Sequence, residues 1–117
     1  MRMKRRYIAF RIHSAGAVAK KDFVHALLDE MLAMFGERLT AEVGLWVLDF
    51  DERRRRGFLT CSHRYVGEVI AAISLIHRLS GARASVEVLG VSGTIRSLKR
   101  KFLKEDGEIA PSQTPGE

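Results

Sequence analysis

The stretch that most restricts the fold is EVGLWVLDF, residues 42–50. Val43, Leu45 and Val47 occupy one parity, and Trp46, Leu48 and Phe50 occupy the other. A strand that is apolar on both faces must be covered on both faces. A sheet with one layer of helices cannot satisfy this stretch, so a second cover is required.

The neighbouring patterns supply the rest of the frame. Arg6 to His13 alternates, with Ile8, Phe10 and Ile12 on one side and Tyr7, Ala9 and Arg11 on the other, which predicts a strand. After a Ser14-Ala15-Gly16 turn, Lys20 to Phe35 places Phe23, Leu27, Leu28, Met31 and Phe35 on one helical face, with Gly36 as its C-cap. DERRRR makes a charged hairpin, and GFLTCS, from Gly57, returns as a strand. Tyr65 to Leu79 reads as a second helix through Val66, Val69, Ile70, Ile73 and Ile76, ended by Ser80-Gly81. Ala84, Val86 and Val88 alternate in a fourth strand, and Ile95, Leu98 and Phe102 mark a third helix.

The order βαββαβ plus a helix predicts an α+β fold, a ferredoxin-like or RRM-like sandwich. Its four-stranded antiparallel sheet carries two helices on one face and an additional C-terminal helix. Two helices cover one face only, so the third helix or a protein partner must cover the second parity of residues 42–50. Residues 1–104 make a single domain by length. Residues 105–117, poor in apolar side chains and holding both prolines, are expected to be a disordered tail.

Charge narrows the function. The 117 residues hold 20 Lys and Arg against 14 Asp and Glu, a net of +6. Four of those acids follow Lys104, so residues 1–104 carry 20 cations against 10 acids, a net of +10. So basic a body fits a polyanion, and nucleic acid is the usual one. Acidic membrane competes, but no helix pairs a basic face with a broad aromatic-apolar face. No apolar run approaches the ~18 residues of a spanning helix, and the basic N-terminus lacks a long apolar core, so we expect a cytoplasmic protein. Cys61 is the one cysteine, which excludes an internal disulfide and a thiolate zinc cage, and the four histidines show no metal-ligand spacing.

Three basic clusters are candidate contacts. In GVSGTIRSLKRKF (90–102), Ser92 or Thr94 is placed to cap a helix whose first amides and dipole accept a phosphate; Gly93 lies between them. The alternative is an ordinary cap. The stretch is neither a P-loop nor a dinucleotide fingerprint. Arg96 and Arg100 share a face away from the apolar stripe, with Lys99 and Lys101 flanking the stripe. Arg96 opposes the dipole, a conflict that a bound phosphate resolves. Arg53, Arg54, Arg55 and Arg56 sit at a hairpin tip, where arginine suits bidentate phosphate contact, although such a tip also serves solubility. Lys4, Arg5 and Arg6 form the third cluster.

Base stacking is not indicated. In the third strand, Arg56-Gly57-Phe58 agrees with an RNA-recognition signature, but Thr60 replaces the second stacking aromatic. Trp46, Leu48 and Phe50 are candidates for protein contact instead. Asp49 and Asp51 share a parity, and Cys61 and His63 share a side, yet neither pair has the companions of a catalytic site. No catalytic residues and no metal site are assigned.

Taken together, RYIAFRI (6–12), GLWVLDFDERRRRGFLTCS (44–62) and VLGVSGTIRSLKRKF (88–102) resemble the archaeal ribonuclease P protein component 2 family over residues 5–103. Arg96 stands where lysine is equally expected. The resemblance implies a ferredoxin-like fold and membership of a ribonucleoprotein that removes the 5′ leader from precursor tRNA. It also implies that the RNA subunit carries the active site and its Mg2+, with no cofactor bound by this chain. The implied partners are ribonuclease P RNA, precursor tRNA, protein component 3 (a barrel protein) and a second copy of the chain. Two other readings remain open from the residues: a generic RNA-binding or ribosome-associated protein, and a small ferredoxin-like hydrolase.

Overall fold

The computed structural model describes residues 4–105, with side chains described for residues 4–100. In chain order these form β1 (Arg5–Ser14), α1 (Lys20–Val43), β2 (Trp46–Asp51), β3 (Arg56–Ser62), a 3-10 turn (His63–Tyr65), α2 (Val66–Leu75), β4 (Arg78–Leu79), β5 (Ala82–Ser92) and α3 (Ile95–Glu105). The strands make one antiparallel sheet in the order β2-β3-β1-β5-β4. Residues 106–117, nearly all of the expected tail, lie outside the described residues, and Glu105 closes α3.

One face of the sheet carries the main core. Ile8, Phe10 and Ile12 of β1 and Leu59 and Cys61 of β3 are buried with Phe23, Leu27 and Met31 of α1 and Val69, Ala72 and Ile73 of α2. Phe10 stacks on Phe23 with centroids 4.5 Å apart, and Phe50 leans on both at 6.0 and 5.6 Å. Such ring pairs add roughly 0.5–1.5 kcal/mol each beyond their burial. The opposite face holds a smaller core in which Leu98 of α3 is buried with Ala9 of β1 and Phe58 of β3, flanked by Tyr7 and Leu89. Through Leu98 the third helix packs on β1 and its neighbours, and among the described residues Trp46 and Leu48 of β2 stay exposed.

Four local expectations are corrected, each for a physical reason. The sheet has five strands rather than four, because α2 stops at Leu75 and the backbone of Ile76 is extended (φ −68°, ψ 124°). Ser80 (φ 53°) and Gly81 (φ 79°) are both left-handed, as a tight two-residue hairpin turn requires, and they join β4 to β5. Ile76 and Leu79 are buried all the same, so spacing that reads as helix is satisfied by a hairpin.

Helix α1 does not end at Gly36. That glycine interrupts it with φ 82° and ψ 174°, the helix resumes through Leu39 and the buried Val43, and Gly44 (φ 62°, ψ 49°) is the left-handed cap.

Trp46, Leu48 and Phe50 do not share a face. Val47 pairs with Leu59 but Asp49 pairs with Phe58, so Leu48 is an extra residue bulged out of β2, and parity reverses after it. Phe50 consequently joins the main core while Trp46 and Leu48 remain 67% and 46% exposed on the far side. Gly57 permits this. A Cβ there would press into the carbonyl oxygen of Asp49 and lie 3.0 Å from its carbonyl carbon.

Fourth, His63 belongs to the 3-10 turn rather than to the strand of Cys61, so the two are not strand neighbours on one side.

Candidate nucleic-acid interface

The predicted cations fall at three places: the α3 segment, the β2–β3 loop and the start of β1. Thr94 is the cap of α3: its Oγ1 accepts from the Ser97 amide at 3.2 Å, and its own amide donates to Ser92 Oγ at 3.3 Å. Spacing alone left Ser92 and Thr94 as equals, and these two bonds assign the cap to Thr94. The first two amides of α3, on Ile95 and Arg96, have no intrahelical acceptor and point out of the helix end. A Cβ at Gly93 would meet nothing within 4 Å, so the approach to this end is open. Arg96, Lys99 and Arg100 are exposed. The side chain of Lys101 lies outside the described residues.

The arginine hairpin is built by its acids. Asp51 Oδ1 accepts from the amides of Arg53 (3.0 Å) and Arg54 (2.9 Å), and its carbonyl accepts from the Arg55 amide at 2.7 Å. These contacts, led by the Arg54 amide, hold the Asp51 carboxyl below its ordinary 3.8. Arg55 turns left-handed (φ 59°), and its carbonyl accepts from the Ile12 amide at 2.6 Å, which ties the loop to β1. Glu52 Oε2 accepts from the Lys20 amide at 3.1 Å, a carboxylate at the positive end of α1. Arg53 and Arg54 are exposed and Arg55 and Arg56 half-buried.

Arg5 is placed differently. Its Nε donates to Thr60 Oγ1 at 3.2 Å and its Nη2 to the Gly44 carbonyl, so its guanidinium braces β1 against β3 and the end of α1. Arg6 Nη1 donates to the Arg5 carbonyl at 3.1 Å, and Arg6 shares the parity of Ile8 rather than that of Tyr7. The cluster at the start of β1 is therefore divided between two faces.

Trp46 opposes Thr60, Thr60 opposes Tyr7, and Tyr7 opposes Ser92, so one cross-strand row runs from β2 to the α3 cap. Arg78 and Arg83 were absent from the sequence-based candidates. They are direct partners across the β4–β5 hairpin, and the Ser-Gly pair between two short apolar-polar runs is the signal that could have found them.

Burial pushes the Cys61 thiol up to about 11, so it is protonated at neutral pH. Among the described residues no group of three or more His, Cys, Asp or Glu side chains could hold a metal ion, and no helix is long and apolar enough to cross a membrane. Fold and site define a small mixed α+β protein whose surface chemistry is that of clustered cations on a braced sheet.

The comparisons with known proteins agree with that class. The Rpp14/Pop5 family model matches residues 6–103, and the chain belongs to that family. Ribonuclease P protein component 2 of Pyrococcus furiosus is 39% identical over 107 residues, covering 92% of this chain and 89% of that protein. The protein of the same name from Methanothermobacter thermautotrophicus is 38% identical over 110 residues, covering 89% of each. A chain in a cryo-EM structure of yeast ribonuclease MRP shares the fold, with a TM-score of 0.62 over 95% of this chain and 97% of that one, at 14% identity.

Proposed function

We propose that the chain is a noncatalytic protein subunit of ribonuclease P, binding the catalytic RNA that removes the 5′ leader from precursor tRNA in the cytoplasm. The observation that carries this reading is the near full-length similarity to proteins named ribonuclease P protein component 2. The basic body supports it. Removing β4 from the count leaves four long strands in the order β2-β3-β1-β5, which we read as a ferredoxin-like sandwich extended at one edge and lidded by α3.

In this reading the chain binds no cofactor, and the RNA subunit supplies the Mg2+ chemistry. Close packing of RNA strands, and of precursor tRNA against them, concentrates phosphates. Arg53, Arg54, Arg96, Lys99 and Arg100, fixed on a rigid scaffold, reduce that repulsion, with an affinity that falls steeply in salt. Shape and backbone recognition of this kind needs little base readout. β2, with the exposed Trp46 and Leu48, is the surface for a protein, either component 3 or a second copy of this chain.

Reconstitution tests the reading. The purified chain, added with component 3 to an archaeal ribonuclease P RNA, should raise leader cleavage at limiting Mg2+, and the chain alone should cleave nothing. No gain over RNA alone would leave a generic RNA-binding protein, and cleavage by the isolated chain would establish an enzyme.

A further inference from the structure

We propose that the β4–β5 hairpin is a second phosphate-binding site, used for RNA backbone and separate from the α3 cap. A concave site of about 600 Å³ opens there, lined by His13, His77, Arg78, Arg83, Ala84 and Ser85. Arg78 and Arg83 are Cα partners in the ladder. The Ala84 amide donates to the His77 carbonyl at 2.9 Å, so the next pair inward, Arg78 with Arg83, is a non-hydrogen-bonded pair, whose side chains stand closest.

Like charges directly opposed across a ladder are mildly destabilising, and an anion between them relieves that repulsion. Among the described residues no carboxylate pairs with either arginine. Arg78 Nη2 donates to the Gly81 carbonyl at 3.3 Å. Of the nearby acids, Glu87 is engaged with His13 Nε2 at 2.8 Å, and Asp22 Oδ2 accepts from Ser80 Oγ in the hairpin turn at 2.6 Å. A phosphate, with several acceptor oxygens, satisfies two planar forks at once.

Topology makes this more than an isolated pair. β5 begins and the β2–β3 loop turns at the same end of the sheet, on either side of β1, where His13 pairs with Ser85 and Arg11 with Arg56. From β3 to β4 is three strand spacings, roughly 14 Å. Arg53 and Arg54 on one side and Arg78 and Arg83 on the other therefore frame one cationic end. From Arg83 to Ser92 is nine residues of strand, about 30 Å, so the α3 cap stands at the opposite end. The inference rests on the RNA reading and adds a second anchoring point to it.

The test is a salt titration of binding to an archaeal ribonuclease P RNA transcript. Two lost phosphate contacts should make the slope of log K against log salt shallower by roughly 1.8, and should weaken binding at 0.15 M salt on the order of thirtyfold. That is the expected result for Arg78→Gln with Arg83→Gln, with a melting temperature no lower than that of the natural chain. Arg83→Lys, which keeps the charge, should keep the slope and so separates charge from folding.

An unchanged slope in the double variant, with a reduced slope in Arg53→Gln/Arg54→Gln, would overturn the second site and leave RNA binding standing. Unchanged RNA binding with lost protein assembly would assign these cations to an acidic protein surface and equally overturn it. No binding by the natural chain at low salt would remove the RNA reading itself.

Discussion

Replacing Gly57 by alanine tests whether the β2 bulge is what separates the exposed Trp46 and Leu48 from the core-facing Phe50. The added Cβ would lie 3.0 Å from the Asp49 carbonyl carbon and 3.1 Å from Phe50 Cα, and would press into the Asp49 carbonyl oxygen. All of these are backbone atoms, so relief requires β2 to move. Overpacking of this kind costs about 1–3 kcal/mol, and the restricted unfolded chain returns about 0.4–1 kcal/mol. A net loss of about 1–2 kcal/mol corresponds to a melting temperature lower by roughly 5–12 °C for a domain of this size. Circular dichroism melts should show it, with Gly67→Ala as the control. Gly67 is in α2 with nothing within 4 Å of its Cβ site, and alanine there should stabilise by up to about 1 kcal/mol. A Gly57→Ala protein that melts at or above the natural chain would refute the role assigned to the bulge.

Other outcomes follow from the same geometry. Thr94→Ala with Arg96→Ala should weaken RNA binding in a filter assay and remove about 1 kcal/mol of cap stability, whereas a collapsed fold with unchanged affinity would make the motif a cap alone. Trp46→Ala and Leu48→Ala should leave the melt nearly unchanged and reduce protein assembly in a pull-down, while Phe50→Ala should cost about 2–4 kcal/mol in a denaturant titration. The Asp51 carboxyl is depressed in the folded state, so its contribution is complete above 3.8 and is lost as pH falls through the lower folded value. The Arg53 and Arg54 amide signals should therefore shift in an acid NMR titration with a midpoint below 3.8, and Asp51→Asn should remove that transition.

Local patterns revealed the parts of this fold that are local. Alternation in Arg6 to His13, the charged turn after Asp51 and the apolar spacing of Ile95 and Leu98 each declare an element within a few residues. Local pattern misleads where a distant partner decides. The side of Phe50 depends on a bulge whose backbone, at Asp49, passes where a side chain on Gly57 of β3 would lie. The end of α2 depends on burial that Ile76 and Leu79 reach as well in extended backbone as in helix. At the candidate interface, Arg53, Arg54 and Arg96 were apparent because charges cluster in sequence. Arg5 looked the same in sequence, yet Thr60 and Gly44, distant along the chain, claim its guanidinium. The proximity of Arg78 and Arg83 exists only after the hairpin forms, so no sequence cluster displays it.

The interruption at Gly36 gives α1 two stretches of unequal tenacity. Phe23, Leu27 and Met31 root the upstream turns in the main core, while the turns after Gly36 hold through Val43, more loosely through Leu39, and through the Tyr65 hydroxyl, which donates to Glu42 Oε1 at 2.8 Å. Amide hydrogens of residues 38–42 should accordingly trade with deuterium well before those of residues 24–31, and the clasp of Arg5 on Gly44 is what retains the frayed segment between such openings.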